Sequence, residues 1–269
     1  MNSPQYIKWF VEESEIELED GLPIMSYRLD YKIDESVYCE WAKHIRQHYE
    51  SDEELTDSLD MTGLTAEEYL KTFVIPQKSD AFGPTARSND FTEIMVSDLL
   101  EFVQGYSVPS CKQRNKSGKG LSEHGTDILA YKFSKQDKSP NSKDELLAVE
   151  VKAGLSKDHY TPISNAVNDS IKYDEVRHSL TLNYYRKKLK SICNYQQSDE
   201  IARFQKKSEN DYIVTYIAAA IVSRNIIPNN TIIGIRGDDF ELRQNNKIFL
   251  VHGEKLMSLA HAIFERCVK

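Results

Sequence analysis

The sequence has few cysteines, and none of them is spaced like half of a pair. The four stand far apart in the chain, at Cys39, Cys111, Cys193 and Cys267. This usage fits a reducing compartment, and it excludes a zinc motif built on cysteine ligands.

The sequence also lacks a long apolar run and has little proline or glycine. The longest apolar stretch, residues 212–222, is interrupted by Thr215 and is too short to cross a bilayer. The first residues lack the basic and apolar regions of a signal peptide, so we expect a cytoplasmic location. With 8 Pro, 11 Gly and 40% hydrophobic residues among 269, we expect one large or two small globular domains.

Basic residues are outnumbered by acidic ones, 34 to 42, which gives a formal net charge of −8, and the charges are unevenly distributed. Residues 1–110 hold 23 acids and 8 bases, a balance of −15, whereas residues 111–269 hold 19 acids and 26 bases, a balance of +7. This asymmetry indicates that the second part of the chain faces phosphate, while the first part is solvated or meets a partner.

Two apolar runs carry the candidate chemistry. Asp127 opens the run at residues 128–133, and a second run occupies residues 146–151; Gly, Pro, Asn, Asp or Ser bounds each, as is typical of strands. Because side chains alternate between the faces of a strand, Glu150 and Lys152 share one face. Two carboxylates and an ammonium group can therefore converge.

This group of side chains suits phosphodiester hydrolysis. Mg²⁺ prefers oxygen ligands and takes one or two protein carboxylates, which Asp127 and Glu150 can supply. Lys152 can orient or deprotonate the attacking water, or stabilise the charge that develops on phosphate.

A Glu-x-Lys pattern alone is weak, because surface strands alternate charged and apolar residues for solubility. A second acid-x-Lys pattern, Asp30-Tyr31-Lys32, illustrates this. The pair Glu150 and Lys152 differs because it follows a Gly-Thr-Asp strand start and an amphipathic helix that bears Glu93. This ordered set favours a metal nuclease site.

The order Glu93, Gly125-Thr126-Asp127 and Glu150-Val151-Lys152 resembles the PD-(D/E)xK nuclease superfamily, with Thr126 where the family name expects Pro. More narrowly, residues 82–93, 123–127 and 149–153 resemble the HamA family, the nuclease subunits of the Hachiman bacterial anti-phage system, which are encoded beside a helicase, HamB. The resemblance covers the chain from about residue 81 onward.

The resemblance implies a restriction-endonuclease-like α/β fold, in which a mixed sheet is flanked by helices. It implies that Mg²⁺ or Mn²⁺ binds Asp127 and Glu150, that Glu93 completes the metal shell directly or through water, and that Lys152 serves the nucleophile. It also implies DNA as the substrate and a helicase subunit as the partner in a hetero-complex.

The patterns predict an acidic N-terminal α/β extension over residues 1–80 and a nuclease domain over residues 81–269. In the extension we expect an edge hairpin over 12–33, a helix over 35–49 capped by Asp34, an acidic loop over 50–60 and a helix over 66–73 capped by Thr65. The nuclease domain is predicted to contain the following further elements: a helix that starts at Ser88 or Asn89 and ends just before Gly105, a strand over 106–114, a basic loop over 115–120, a hairpin loop over 134–145, helices over 164–224 that include a buried apolar helix at 212–222, strands over 231–236 and 247–251, and a closing helix over 254–268.

Three further sets of residues have alternative interpretations. The basic run Arg186, Lys187, Lys188 and Lys190 is the best candidate for DNA backbone contact, and a solvated helix surface is the alternative. The N-terminal acids form either a partner-docking surface or a solvated face. One of Asn165, Asn168 and Asp169 assists Lys152 if the superfamily pattern holds.

His44 and His48 stand one helical turn apart, a spacing that metalloproteases use to bind zinc. Position 45 is Ile where the general-base Glu of those enzymes would stand. We therefore interpret the pair as part of a helix surface.

The sequence thus predicts a metal-dependent DNA nuclease that acts in anti-phage defence with a helicase partner. Two alternatives remain: a restriction endonuclease, and a catalytically silent adaptor that retains the nuclease fold. The acidic and basic groups at Asp127, Glu150 and Lys152 count against the adaptor.

Overall fold

A computed structural model gives the fold, and it describes residues 3–13, 16–17, 23–121, 123, 125–156, 161–224 and 246–269. Its strands form one mixed sheet in the order β1-β3-β7-β6-β5-β4, with β2 paired to β3. The central strands β3, β7, β6 and β5 are parallel neighbours, and antiparallel pairs occur at both ends. The strands are β1 (Phe10–Glu12), β2 (Ile16–Glu17), β3 (Pro23–Leu29), β4 (Ile128–Lys132), β5 (Glu145–Gly154), β6 (Ile213–Ser223) and β7 (Asn246–Gly253).

Helices cover both faces of this sheet. Helices α1, α4 and α8 pack on the face that carries Val149 and Val151, and helices α5, α6 and α7 pack on the opposite face. The helices are α1 (Glu35–Tyr49), α2 (Asp52–Thr62), α3 (Ala66–Tyr69), α4 (Gly83–Asp98), α5 (Pro162–Ser170), α6 (Glu175–Ser191), α7 (Tyr195–Ala202) and α8 (Leu256–Arg266). No helix of the described residues has the length and apolar character needed to cross a membrane.

Several local predictions are confirmed. The side chain of Asp34 accepts hydrogen bonds from the backbone N–H groups of Ser36 and Val37, and α1 has the predicted bounds. Thr65 caps α3, which continues as a π-helical turn at residues 70–74. Strands β4 and β5 form the predicted antiparallel hairpin, and α8 closes the chain.

The acidic segment at residues 50–60 was predicted to be a loop, and this prediction is wrong. Most of the segment forms helix α2. Ser51 and Glu54 form a reciprocal capping box, which satisfies backbone N–H groups at the start of this helix. The acids of the first turn also interact favourably with the positive end of the helix dipole. The acidic residues at 52–54 therefore mark the first turn of a helix.

The predicted strand over residues 106–114 is wrong. Only Ser107 bridges to β4, opposite Tyr131, and residues 110–115 form turns. Pro109 has no backbone N–H for a strand ladder, so pairing stops there. The prediction for α4 is wrong at its start, because the helix begins at Gly83 with Pro84 in its first turn, where proline is favoured.

The predicted helix over residues 212–222 is also wrong, because these residues lie in β6. This strand pairs with parallel neighbours on both sides and is covered on both faces. A doubly covered parallel strand is a nearly continuous apolar run, so its alternation is hidden. The predicted burial of residues 212–222 is confirmed for most of them. The strand predicted over 231–236 lies outside the described residues.

The hairpin predicted near the N-terminus is only partly an edge. Strand β3 pairs with β7 in the interior of the sheet, and β1 and β2 flank β3. The N-terminal helix α1 packs on the same core as α4 and α8. The interpretation of His44 and His48 as a helix surface is wrong, because His48 is buried and His44 is largely covered.

Candidate active site

The hairpin of β4 and β5 positions the predicted strand residues. Ile128 pairs with Val149, so Asp127, one residue before β4, lies beside Glu150. The faces are as predicted, since Val149 packs in the core under α4 while Glu150 is directed to the side of α6. Gly125, two residues earlier, has φ +96°, a conformation that L side chains rarely adopt.

Asp127 is held at both of its oxygens. The backbone N–H of Val151 donates to Oδ2 at 2.8 Å, and the ammonium group of Lys112 donates to Oδ1 at 3.0 Å. The hydroxyl of Tyr185 donates to the backbone carbonyl of Asp127 at 3.0 Å. These contacts fix the carboxylate at the edge of the sheet.

Glu150 is buried and contacts two polar groups. Its Oε1 lies 3.0 Å from the hydroxyl of Thr126 and 3.1 Å from the guanidinium of Arg177 on α6. Burial raises the pKa of Glu150, and the negative charge of Asp127 raises it further. A cation at this place would relieve that repulsion.

Glu93 approaches the same region from α4, on the other face of the sheet. Its Oε2 accepts a hydrogen bond from Gln113 at 3.1 Å and lies 3.6 Å from the ammonium nitrogen of Lys112. Burial raises the pKa of the Glu93 carboxyl, although the charge of Lys112 opposes this shift. Lys112 therefore stands between Glu93 and Asp127 as an internal cation.

Lys152 points to α5, where its ammonium nitrogen lies 2.7 Å from Oδ2 of Asp169. Burial acts to lower the pKa of Lys152, but the hydrogen bond to Asp169 and the charges of Asp127, Asp169 and Glu150 together outweigh it, and the pKa is raised. Lys172 also contacts Asp169, at 2.8 Å. Of the three polar residues considered on this helix, Asp169 is the one that contacts Lys152.

The donor set fits a hard divalent cation at Asp127 and Glu150. Both are carboxylates, burial and the charge of Asp127 raise the pKa of Glu150, and positively charged side chains already contact both. Glu93 is separated from Asp127 by Lys112, so it fits an outer position better than a direct one. A second group of possible metal ligands lies elsewhere in the described residues. It consists of His44, His48 and Asp98, whose ligand atoms all lie within 4.8 Å of one another.

The predicted DNA-binding run on α6 divides into two pairs. Lys187 and Lys190 are exposed. Arg186 contacts the carbonyl of Ser198 at 3.3 Å, and Lys188 contacts the carbonyl of Asn115 at 3.2 Å. The basic loop is similarly engaged, because Lys116 pairs with the buried Asp90 at 2.6 Å.

Sequence reasoning missed Lys112, Gln113 and Arg177. Lys112 and Gln113 lie in the segment predicted as a strand, and no motif distinguishes them there. Arg177 lies about two turns N-terminal to the basic run that begins at Arg186. Only the general rule that buried carboxylates need partners could have indicated that such residues exist.

The fold and this group of side chains define a mixed α/β protein with a cluster of buried and half-buried carboxylates and cations at one end of a strand hairpin. The model of the HamA family matches residues 4–267. The chain therefore belongs to the HamA family. A search of curated proteins found no match.

Proposed function

We propose that this protein is a metal-dependent DNA nuclease with a PD-(D/E)xK, restriction-endonuclease-like fold, and that it is the effector of Hachiman anti-phage defence. Membership of the HamA family supports the defence role. The observation that carries the enzymatic part is that Asp127, one residue before β4, lies beside Glu150 of β5, with Lys152 two residues further along the same strand.

Asp127 and Glu150 would hold Mg²⁺ or Mn²⁺, and Glu93 would complete the shell, most simply through water. When bound, the ion neutralises phosphate charge and lowers the pKa of a coordinated water. The chain's own contribution is to keep the two carboxylates in place. The backbone N–H of Val151 and the hydroxyl of Thr126 do this, at 2.8 and 3.0 Å.

Lys152 acts as a positive charge in this proposal, rather than as a base. Its contact with Asp169 favours the ammonium form, which cannot accept a proton from water. An ammonium group near the scissile phosphate stabilises the negative charge that develops in the transition state. Asp169 is then a positioning residue, because it acts through Lys152.

The surface for DNA is proposed to include the exposed bases of α6. Lys187 and Lys190 are exposed and can meet phosphate, whereas Arg186 and Lys188 already contact carbonyl oxygens of the protein. Phosphate contacts of this kind give affinity without sequence preference. We therefore propose cleavage without tight sequence specificity.

The proposed partner is a helicase, and α2 is the best surface to meet it. This helix buries none of its residues, and Glu53, Asp57 and Asp60 on it are exposed. Other acids of this region are engaged within the protein: Glu54 pairs with Arg114, and the Glu50 carboxylate contacts Ser58. An acidic surface repels DNA and can pair with a basic partner.

Reversing Glu53, Asp57 and Asp60 to Lys tests this surface. We expect weaker capture of the product of the adjacent helicase gene and unchanged metal-dependent cleavage by the isolated chain. Retained capture together with lost cleavage would show that this surface serves the chemistry instead.

A cleavage assay on the purified chain tests the function as a whole. We expect DNA cleavage with Mg²⁺ and none after chelation, with the helicase partner changing the rate. Absence of cleavage under every condition, with retained binding to the partner, would favour the silent adaptor. A methyltransferase gene as the neighbour, instead of a helicase gene, would favour a restriction endonuclease.

A further inference from the structure

Two helices on one face of the sheet bring three side chains with metal-ligand chemistry together, away from the proposed active site. His44 and His48 come from α1, and Asp98 is the last residue of α4. The Nε2 atom of His44 lies 2.9 Å from both carboxylate oxygens of Asp98 and 3.3 Å from Nε2 of His48. The Nε2 atom of His48 lies 4.0 Å from Oδ1 of Asp98.

These separations suit a tetrahedral ion. Zinc binds imidazole nitrogen and carboxylate oxygen at about 2.0–2.2 Å, which places neighbouring ligand atoms about 3.3 Å apart. The observed separations lie on both sides of that value, and all three ligand atoms are within 4.8 Å of one another. Small side-chain adjustments would complete the geometry.

Hydrogen bonding alone satisfies this arrangement poorly. An imidazole Nε2 carries either one N–H or one lone pair, so an N–H of His44 that is shared between the two oxygens of Asp98 leaves nothing for a second imidazole. The Nε2 of His44 nevertheless faces the Nε2 of His48 and both oxygens of Asp98. An ion at the centre would be bound by all three side chains at once.

The surroundings hold the ligands in place. Asp98 is 1% exposed, and the hydroxyl of the fully buried Tyr6 donates a hydrogen bond to its Oδ2. An outer hydrogen bond of this kind orients a ligating carboxylate. Immediately after Asp98 the helix widens into a π-helical turn at residues 99–103, a distortion that is frequent at functional sites.

The site also has a route from solvent. A cavity of about 330 Å³ is lined by His44 and His48, and by Glu101 and Arg114 among others. Water from this cavity could occupy a fourth ligand position. Glu101, one turn beyond Asp98, and Arg114 place one acidic and one basic side chain in the lining of this cavity.

We propose that His44, His48 and Asp98 bind one divalent transition-metal ion, Zn²⁺ being the first candidate. Two imidazoles and one carboxylate favour ions such as Zn²⁺ over Mg²⁺, which prefers oxygen ligands. The ion would join α1 to the helix that bears Glu93, so we assign it a stabilising role. This site does not depend on the proposed nuclease function.

Metal binding by the purified full chain, stripped with a chelator, tests the proposal. We expect the wild type to take up one Zn²⁺, with a rise in melting temperature, and to give a d–d absorption spectrum with Co²⁺. The changes His48→Asn and Asp98→Asn should weaken Zn²⁺ binding at least about 100-fold, whereas His261→Asn, at a half-buried histidine of α8, should not. The variant Glu150→Gln should keep this Zn²⁺, which separates the site from the proposed active site.

The variant Tyr6→Phe keeps all three ligands and removes only the hydrogen bond to Asp98. It therefore tests the site even if the variants that change a ligand fail to fold. We expect about 10- to 100-fold weaker Zn²⁺ binding, the effect of removing an outer hydrogen bond. Absence of Zn²⁺ and Co²⁺ uptake by the wild type would overturn the proposal, as would undiminished binding by His48→Asn and Asp98→Asn. In either case the three side chains are a hydrogen-bonded anchor between α1 and α4.

Discussion

The ammonium nitrogen of Lys112 lies 3.0 Å from Oδ1 of Asp127 and 3.6 Å from Oε2 of Glu93. Lys112 is 4% exposed, so these three charges interact away from bulk water. Burial acts to lower the pKa of Lys112, but the two carboxylates outweigh it and raise the pKa. Removing this lysine leaves the buried carboxylate of Glu93 and the partly buried carboxylate of Asp127 without their internal cation.

We therefore expect Lys112→Met to destabilise the metal-free protein by about 3–5 kcal/mol, the usual cost of breaking a buried ion pair. Added Mg²⁺ or Mn²⁺ should restore more stability to this variant than to the wild type, because an ion that binds only the folded state stabilises it. Thermal melting with and without the ion measures both effects.

Lys116→Met is the matched control for this experiment. Lys116 is similarly buried and pairs with the buried Asp90 at 2.6 and 2.7 Å, but Asp90 is not one of the proposed metal ligands. This variant should lose similar stability and gain no more from Mg²⁺ than the wild type. Equal recovery in both variants would remove Asp127 and Glu93 from the proposed metal site.

The contact between Asp169 and Lys152 predicts a mild catalytic defect. Asp169→Asn keeps the shape of the side chain but removes the charge that holds the ammonium group at 2.7 Å. Loss of one charge-assisted hydrogen bond should lower the cleavage rate about tenfold. Lys172→Gln, which removes the other cation on Asp169, should leave the rate unchanged. A larger defect in Lys172→Gln would show that Asp169 does not act through Lys152.

The exposed lysines of α6 predict a change in salt dependence. For B-DNA each lost phosphate contact reduces the slope of log affinity against log salt by about 0.9. Lys187→Gln with Lys190→Gln should therefore flatten the slope by about 1.8, and affinity should fall equally for unrelated DNA sequences. The control pair Lys8→Gln and Lys43→Gln lies in the acidic part of the chain and should have no effect. An unchanged slope in the α6 pair would place DNA elsewhere.

We expect His178 to account for part of the stability that the fold loses at acidic pH. Burial lowers the pKa of this histidine, and its Nε2 lies 2.9 Å from the hydroxyl of Tyr212. The unfolded chain therefore takes up the proton first, and stability is lost as the pH falls below the unfolded pKa of about 6.5. Denaturant unfolding at pH 7.5 and 5.5 should show a smaller loss for His178→Gln than for the wild type. An equal loss would exclude this histidine as a contributor.

The sequence was informative where the determinants are local. The cap at Asp34, the hairpin of β4 and β5 and the shared face of Glu150 and Lys152 each follow from a few neighbouring residues. It was misleading for β6, because burial on both faces of a parallel strand removes the periodicity that separates strand from helix. The segment of α2 was wrongly predicted as a loop, because Ser51 and Glu54 of its capping box lie within a run of acidic residues.

Contacts between distant residues were not predictable. Lys112 reaches Asp127 from a segment of turns, and Arg177 reaches Glu150 across 27 positions of the chain. His44 and His48 had the spacing of metal ligands, but the third side chain, Asp98, is 54 residues from His44. Only the packing of α1 against α4 brings these three residues together.

In the proposed function, Glu150 and Lys152 carry out metal-dependent cleavage of DNA. The most direct measurement is the Mg²⁺-dependent cleavage rate of Glu150→Gln and Lys152→Met, beside Asp30→Ala at the other acid-x-Lys pattern, where Asp30 is 61% exposed and pairs with Arg28. We predict that the first two variants keep their fold and lose at least about 100-fold in rate, as expected for groups that stabilise transition-state charge, while Asp30→Ala cleaves like the wild type. Wild-type rates in Glu150→Gln and Lys152→Met, or an equal loss in Asp30→Ala, would contradict the assignment.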